Sequence, residues 1–491
     1  MADPVVMVTR LRASFAPDPT PPTPPGVWLN DHHSLLNRTR VGQVTQPGSL
    51  EALRTALAEA ADRNSPVAIC GNRYSMGGQQ FRSDGTLIDM RCLNRVISFD
   101  PASGLIDVEA GITWTELQAA LDHTRPGHGH GAFGWGIAQK QTGADALTIG
   151  GAVASNVHGR GLTKAPFIED IESLTLLDAS GQLLTCSRSE NTELFRHVVG
   201  GYGMFGIVHS VRIRLVPRER MRRVVEIIDA DSLMTRFDER IAAGFRFGDF
   251  QFHIDHECDD FLRRGVFSCY LPVPEDTPAP DHPPVLGRDD WLDLLHLAHA
   301  DKSRGFQLYS DHYLRTDGGI YWSDTLQFTT YINGYHQTVD RRLGSSCPGS
   351  EMITEIYVPR SGLPAFLAAA ADDLRRCKAS VIYGTVRLIE RDDETNLAWA
   401  REPWACVIFN ICVEHSGAGL RDARQTFRTL IDRGIAFGGS YYLTYHKFAR
   451  RDQVEACHPR LAEVLRTKRS LDPGLRFQSD WWLHHDRLLI T

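Results

Sequence analysis

The chain of 491 residues exceeds what one hydrophobic core ordinarily organises, so two domains of about 200 residues each are expected. With 42% hydrophobic and 23% charged residues it has a globular composition, and its net charge of −7 includes no Lys/Arg-rich block, which excludes nucleic acid and anionic membranes as main partners. Ten cysteines without a CxxC pair exclude a disulfide framework and no run reaches the roughly 18 apolar residues of a transmembrane segment, so a cytoplasmic protein acting on a small neutral or weakly charged molecule is expected.

Residues 1–28 lack the uninterrupted apolar core of a signal peptide, and the Pro-rich run from Pro17 to Pro25 predicts an extended arm or an unstructured leader. From residue 49 to about 217, helical patterns alternate with short β-rich runs: a helix over 50–62, then strands over 66–70, 86–89 and 104–110. Two Gly-rich segments punctuate this region. The first follows a strand directly and contains Gly71, Asn72, Arg73, Tyr74, Ser75, Met76 and Gly77; the second runs from Thr142 to Gly161 and contains Gly143, Ala144, Thr148, Gly150, Gly151, Ser155, Asn156, His158 and Gly159. Glycines let backbone N–H groups approach phosphate oxygens, so such loops can cradle a pyrophosphate; each alone also reads as an ordinary tight turn.

Between them, His128 and His130 could be metal ligands, but no nearby Cys or carboxylate completes a set, which favours a plain loop and no metal. The text Gly201-Tyr-Gly203-Met-Phe-Gly206 matches GxGxxG. Its context is inverted, with a helix over 192–199 before it and a strand over 207–216 after it, so a Rossmann site is excluded; no Walker A sequence is present either.

Past residue 218 the texture changes to longer strand-like runs, interrupted by a Pro/Asp loop over 272–284. Period-two alternation sorts three later runs onto faces. In 381–390, Thr385 and Arg387 share a face with Tyr383; in 352–358, Glu355 shares one with Ile353 and Tyr357. In 406–414, Val407, Phe409, Ile411 and Val413 form an apolar face, leaving Asn410 and Cys412 on the other. Cys412 reads either as a core thiol or as part of a site lining. These runs predict an antiparallel sheet packed on helices over 365–377 and 420–433, its other face roofing a polar site.

Five ordered segments carry a resemblance: RYSMGGQ at 73–79, Asp89-Met90 before LNRV, EAGITW at 109–114, TIGGAVASNVHGRG at 148–161 and GGYGMFGIV at 200–208. Together they resemble the vanillyl-alcohol-oxidase/PCMH flavoprotein family. The resemblance implies an α+β fold, with FAD between two α+β subdomains and a substrate (cap) domain built on a large antiparallel sheet flanked by helices. It implies domain spans of 1–217, 218–441 and 442–491, the last returning to the FAD-binding domain. It places the first loop along the pyrophosphate and the second near the flavin, with Gly206, Ile207 and Val208 also at the cofactor.

The second half is similar to the decaprenylphosphoryl-ribose, alditol and aldonolactone oxidase branches through Glu355-Ile-Tyr-Val-Pro359, Asn410-Ile-Cys412-Val, the run from Gly438 to Lys447, and Asp472-Pro-Gly-Leu-Arg-Phe-Gln-Ser-Asp480. In those relatives a lysine at the position of Lys447 reaches flavin and substrate. Two departures stand out. Tyr74 replaces the histidine that attaches FAD in many members and no cysteine lies between Thr142 and Asn156, so the FAD is expected to be non-covalent; Thr385-Val-Arg387 replaces the Glu-x-Arg of the alditol and aldonolactone oxidases.

The implied activity is oxidation of a CH–OH group in a sugar- or polyol-like substrate by hydride transfer to flavin N5, with molecular oxygen or another acceptor downstream. Lys447 and Arg387 are the expected electrostatic stabilisers, Glu355 and His158 the competing bases, and Asn410 and Cys412 the lining. A flavin-dependent C=C reductase of the sterol-reducing branch and a catalytically silent flavin-binding protein are the alternatives.

Overall fold

A computed structural model describes residues 26–124, 134–279, 284–329 and 332–490. The Pro17–Pro25 run and the His128/His130 loop lie outside the described residues.

The N-terminal part is built from two α+β units. In the first, the Ser49 hydroxyl caps the helix Leu50–Asp62 by accepting from Ala52 N–H, and Leu53, Ala56, Leu57 and Ala60 form its buried stripe. That stripe packs on a parallel sheet ordered Gln43–Thr45, Thr86–Asp89, Val67–Cys70. The first Gly-rich segment leaves the C-terminal end of Val67–Cys70, where open α/β sheets usually place ligands. In the second unit, a five-stranded antiparallel sheet is ordered Leu183–Ser187, Ile171–Leu177, Ile207–Arg214, Leu105–Glu109, Val96–Asp100. The GxGxxG text is a turn between the helix Thr192–Val198 and the strand Ile207–Arg214. At Gly206 (φ +148°) a Cβ would come within 2.8 Å of the Leu177 carbonyl, so this glycine serves strand approach.

Residues 220–441 supply an eight-stranded antiparallel sheet, ordered Ile320–Trp322, Arg220–Asp229, Arg264–Val273, Phe247–Phe252, Val381–Ile389, Trp404–Glu414, Gly349–Pro359, Ser440–Tyr441. Val407, Phe409, Ile411 and Val413 point into the main core beneath the helices Leu363–Arg376 and Gly417–Ala436. Period two then commits Cys406, Ile408 and Asn410 to the opposite face. The helices Arg288–Ala300 and Lys302–Arg315 lie over that face, contributing Leu295, Ala298, Phe306, Tyr309 and Tyr313 to a shared cavity.

After Tyr441 the chain returns to the first unit. Phe477 bridges Val67 in parallel, Val67 N–H donates to Arg476 O at 2.7 Å and Gln478 N–H to Val67 O at 2.9 Å. Trp481 and Trp482 anchor the following helix, Asp480–Leu489, in the core. All ten cysteines are free, and no helix among the described residues is long and apolar enough to cross a membrane.

Candidate active site

A cavity of about 630 Å³ opens between the two Gly-rich segments and the polar face of the large sheet. Tyr74, Ser75 and Met76 line it from the first segment, and Gly143, Ala144, Ser155 and His158 from the second. Glu355, Arg387 and Asn410 line it from three adjacent strands, as alternation predicts, with Asn410 Nδ2 donating to Glu351 at 3.0 Å.

At its centre is a buried carboxylate. Glu355 Oε1 accepts from the Tyr445 hydroxyl at 2.7 Å, and Oε2 from the Tyr357 hydroxyl at 2.8 Å, with His158 Nε2 at 2.9 Å. His158 Nδ1 faces the Gly159 carbonyl at 3.2 Å, a position that favours a proton on Nδ1. Two bare lone pairs at 2.9 Å would repel, so a further proton lies between Nε2 and Glu355. Burial pushes the Glu355 pKa up, but the neighbouring His158 charge and the three hydrogen bonds outweigh it, leaving the group below the ordinary carboxylate value. Tyr357 stacks on Trp399 at 4.9 Å between ring centroids, which fixes its hydroxyl.

Cys406 completes a His/Glu/Cys cluster of ligand-competent atoms within 4.8 Å of one another. Burial and the Glu355 charge hold its thiol well above the usual value, so it is a hydrogen-bond donor here, 3.7 Å from Glu355.

Behind the lining, the other loop residues lock the two segments together. A Cβ on Gly71 would collide with the Thr148 hydroxyl, which itself caps the helix Ile149–Ser155 by accepting from Gly151 N–H at 3.2 Å. Asn72 Nδ2 donates to Ala146 O at 2.9 Å, and Arg73, at φ +53°, accepts from His32 N–H through its carbonyl. Gly150 abuts Ala110, and Gly159 abuts the Lys140 carbonyl. Asn156 ends its helix in the left-handed region at φ +47° and spends its amide on Asp392 and Ile168.

Three of the expected positions lie off the cavity lining. Gly206, Ile207 and Val208 sit at the start of a strand paired with Leu177 and Leu176, and they do not line the cavity. Cys412 also lies off it, near the end of its strand beside Lys302, because its alternation partner Asn410 is one pleat closer to the centre. Lys447 is absent from the lining as well. The Gly77 N–H and Gln79 Nε2 both donate to the Thr444 carbonyl, at 3.0 and 2.9 Å, and this clamp presents Thr444 and Tyr445 to the cavity while Lys447 sits beside Gly78. Burial lowers the Lys447 pKa against an opposing pull from Asp480. Tyr445, Tyr357, Arg160, Arg223 and Asp249 were not singled out from sequence; only Tyr357 carried a signal, as the neighbour of Glu355 on the same strand face.

The loops suit FAD. Gly143, at φ +89°, has open space where a Cβ would stand, and the buried Thr142 hydroxyl beside it has no hydrogen-bond partner. Both line the cavity, so the Thr142 hydroxyl is free to meet a polar group there, while the Gly143 N–H is spent on the Thr329 hydroxyl at 3.0 Å.

Residues 42–187 match the family model described as an FAD binding domain. L-gulonolactone oxidase of Bos taurus is 32% identical over 174 residues, 35% of this chain and 37% of that protein, so the match spans little more than a third of this relative. Decaprenylphosphoryl-beta-D-ribose oxidase of Mycolicibacterium smegmatis is 25% identical over 463 residues, 90% of this chain and 94% of the relative. Cytokinin dehydrogenase 2 of Arabidopsis thaliana is 29% identical over 225 residues, 45% of this chain and 43% of its own.

Proposed function

We propose that the chain is an FAD-dependent oxidoreductase of the vanillyl-alcohol-oxidase/PCMH type and that it oxidises a CH–OH group of a sugar-like substrate, with Glu355 receiving the hydroxyl proton. The observation that carries this reading is the Glu355 carboxylate itself, held by three donors in the wall of the cavity that the cofactor loops share.

Bound FAD supplies the two-electron acceptor for such an oxidation. The residues supply position and proton transfer. A carboxylate whose pKa is held down stays ionised at neutral pH, ready to accept a proton but only weakly basic. A weak base suffices, since loss of hydride from the carbinol carbon makes its hydroxyl strongly acidic. Tyr445, on the cavity wall and 2.7 Å from Glu355 Oε1, passes the proton on. Burial and the Glu355 charge hold its phenol well above the ordinary value, so it gives up its own proton only in concert with receiving one. His158 and Tyr357 keep the carboxylate in place, and Asn410 offers a polar contact to the substrate.

The test is anaerobic mixing of the flavin-loaded protein with a panel of polyols, aldoses and lactols, following the oxidised-flavin absorbance. At least one is expected to bleach it without NADPH. Bleaching that requires NADPH, followed by reoxidation with an unsaturated compound, would replace this reading with C=C reduction.

A further inference from the structure

We propose that the wall of the cavity formed by Arg160, Arg223 and Arg387 binds an anionic oxyacid group, carboxylate or phosphate, on a hydroxylated substrate. This rests on the oxidoreductase reading and narrows its substrate class.

Three guanidinium groups converge there from separate parts of the chain: Arg160 from the end of the second Gly-rich segment, Arg223 from the strand Arg220–Asp229 and Arg387 from Val381–Ile389. Their residual exposures are 7%, 8% and 6%, so none is a solvated surface charge. Of the carboxylates on the cavity, Glu355 is already engaged by His158, Tyr357 and Tyr445 and Glu351 by Asn410, while Asp249 faces the cluster and lies 3.9 Å from Arg160 Nη1. The Phe250–Val386 pairing sets Asp249 across from Arg387 on the neighbouring strand. Arg223 Nε donates to Ser268 Oγ at 2.9 Å, and its guanidinium lies 4.3 Å from the centre of the Tyr313 ring. The buried Arg387 Nε has no hydrogen-bond partner among the described residues. Nearby Lys140 adds no further free cation, because its ammonium is paired with Asp145 at 2.6 Å.

Three buried cations against the one carboxylate not already engaged leave a cationic surplus in a medium that penalises it. The surplus comes with unspent hydrogen-bonding capacity. Arg160 Nε and Arg387 Nε are buried donors without a partner, and Asp249 Oδ1 and Gln251 Oε1 are buried acceptors without one. All four residues line the cavity. The donors suit oxyanion oxygens, while the two acceptors suit hydroxyl groups beside the anion. A hydroxylated acid satisfies both sets at once, whereas a neutral polyol would leave the guanidinium charges uncompensated.

The test uses the full-length, FAD-loaded protein, so the cofactor's own phosphates already occupy their site. Binding of D-gluconate against D-glucitol, and of D-glucose 6-phosphate against D-glucose, is measured by calorimetry, each pair differing chiefly in the anionic group. At least one acid is expected to bind about 10- to 100-fold more tightly than its neutral counterpart, the range of a charge-assisted contact, and which pair shows it separates carboxylate from phosphate. Arg223→Met and Arg160→Met should erase most of that difference. Equal affinity within both pairs in the unmodified protein overturns the inference, whether or not the variants fold, and so does an unchanged acid affinity in both folded variants. If an acid binds selectively but nothing bleaches the flavin, the anion site stands and the oxidation reading fails; if neutral polyols bleach it and neither acid is preferred, the reverse holds.

Discussion

Replacing Glu355 by Gln preserves the shape of the side chain and removes the charge around which His158, Tyr357 and Tyr445 are arranged. The Glu355→Gln protein should keep its flavin and lose anaerobic substrate-driven reduction by about 100-fold or more, within the usual range for a positioned proton acceptor. Near-normal single-turnover reduction would remove Glu355 from the chemistry. Tyr445→Phe should lose a comparable factor, since the hydroxyl 2.7 Å from Oε1 is the relay. Lys447→Ala, by contrast, should change that rate only a few-fold, because its ammonium lies beside Gly78 and off the cavity lining. A 100-fold loss in Lys447→Ala would place the lysine at the substrate after all.

Among the elements, those with a clear period were legible from sequence. The helix over 50–62 and the strand over 86–89 have the bounds that periodicity predicts, and the strand Trp404–Glu414 sorts its faces as alternation requires. The residues that alternation assigns to the polar face, Glu355, Arg387 and Asn410, do meet at the cavity. What could not be read is where aperiodic turns point their side chains. The run from Thr444 to Lys447 is set by hydrogen bonds from Gly77 and Gln79, more than 360 residues earlier in the chain, so nothing local reveals that Tyr445 faces the cavity. The arginine cluster is hidden for the same reason, since its members converge only once the sheet has formed. The same interlocking makes the two Gly-rich segments sensitive to small additions. In Gly71→Ala the new methyl meets the Thr148 hydroxyl and the segments must separate, at a cost of about 1–3 kcal/mol. That variant should purify with clearly less than one FAD per chain while the unmodified protein is near full occupancy. Equal flavin-to-protein absorbance ratios in the two would show that the contact has slack.

For the whole molecule, two outcomes are expected. With Tyr74 where the family resemblance would place an attaching histidine, heat or acid should release all the flavin at the mass of free FAD, and added FAD should raise the melting temperature by mass action. A flavin-bearing peptide would point instead to His32 or His33, whose rings lie 6.0 and 6.4 Å from that of Tyr74, or to His158. The second outcome concerns pH. His446, His458 and His485, all in the C-terminal segment, are buried, and burial lowers each pKa to about 3. The unfolded chain binds protons at these sites below about pH 6.5 and the folded chain does not, so stability is full above 6.5 and falls by up to about 1.4 kcal/mol per pH unit per histidine as pH drops towards 3. Glu355 changes nothing between pH 7 and about 5: its lowered pKa means its contribution is present above the unfolded value near about 4.3 and is lost only below it. Melting temperature should therefore decline between pH 7 and pH 5, with flavin release following it. A flat profile would mean that these histidines are solvated or already protonated.

The pairing of Val67 with Phe477 also orders events in time. The strand that launches the first cofactor loop is translated some 400 positions before the residues that border it. Until then the edge of Val67–Cys70 lies open, and the clamp on Thr444 does not yet exist. A chain truncated before this pairing is therefore expected to leave that edge bare and to hold FAD weakly, which the flavin-to-protein absorbance ratio would show.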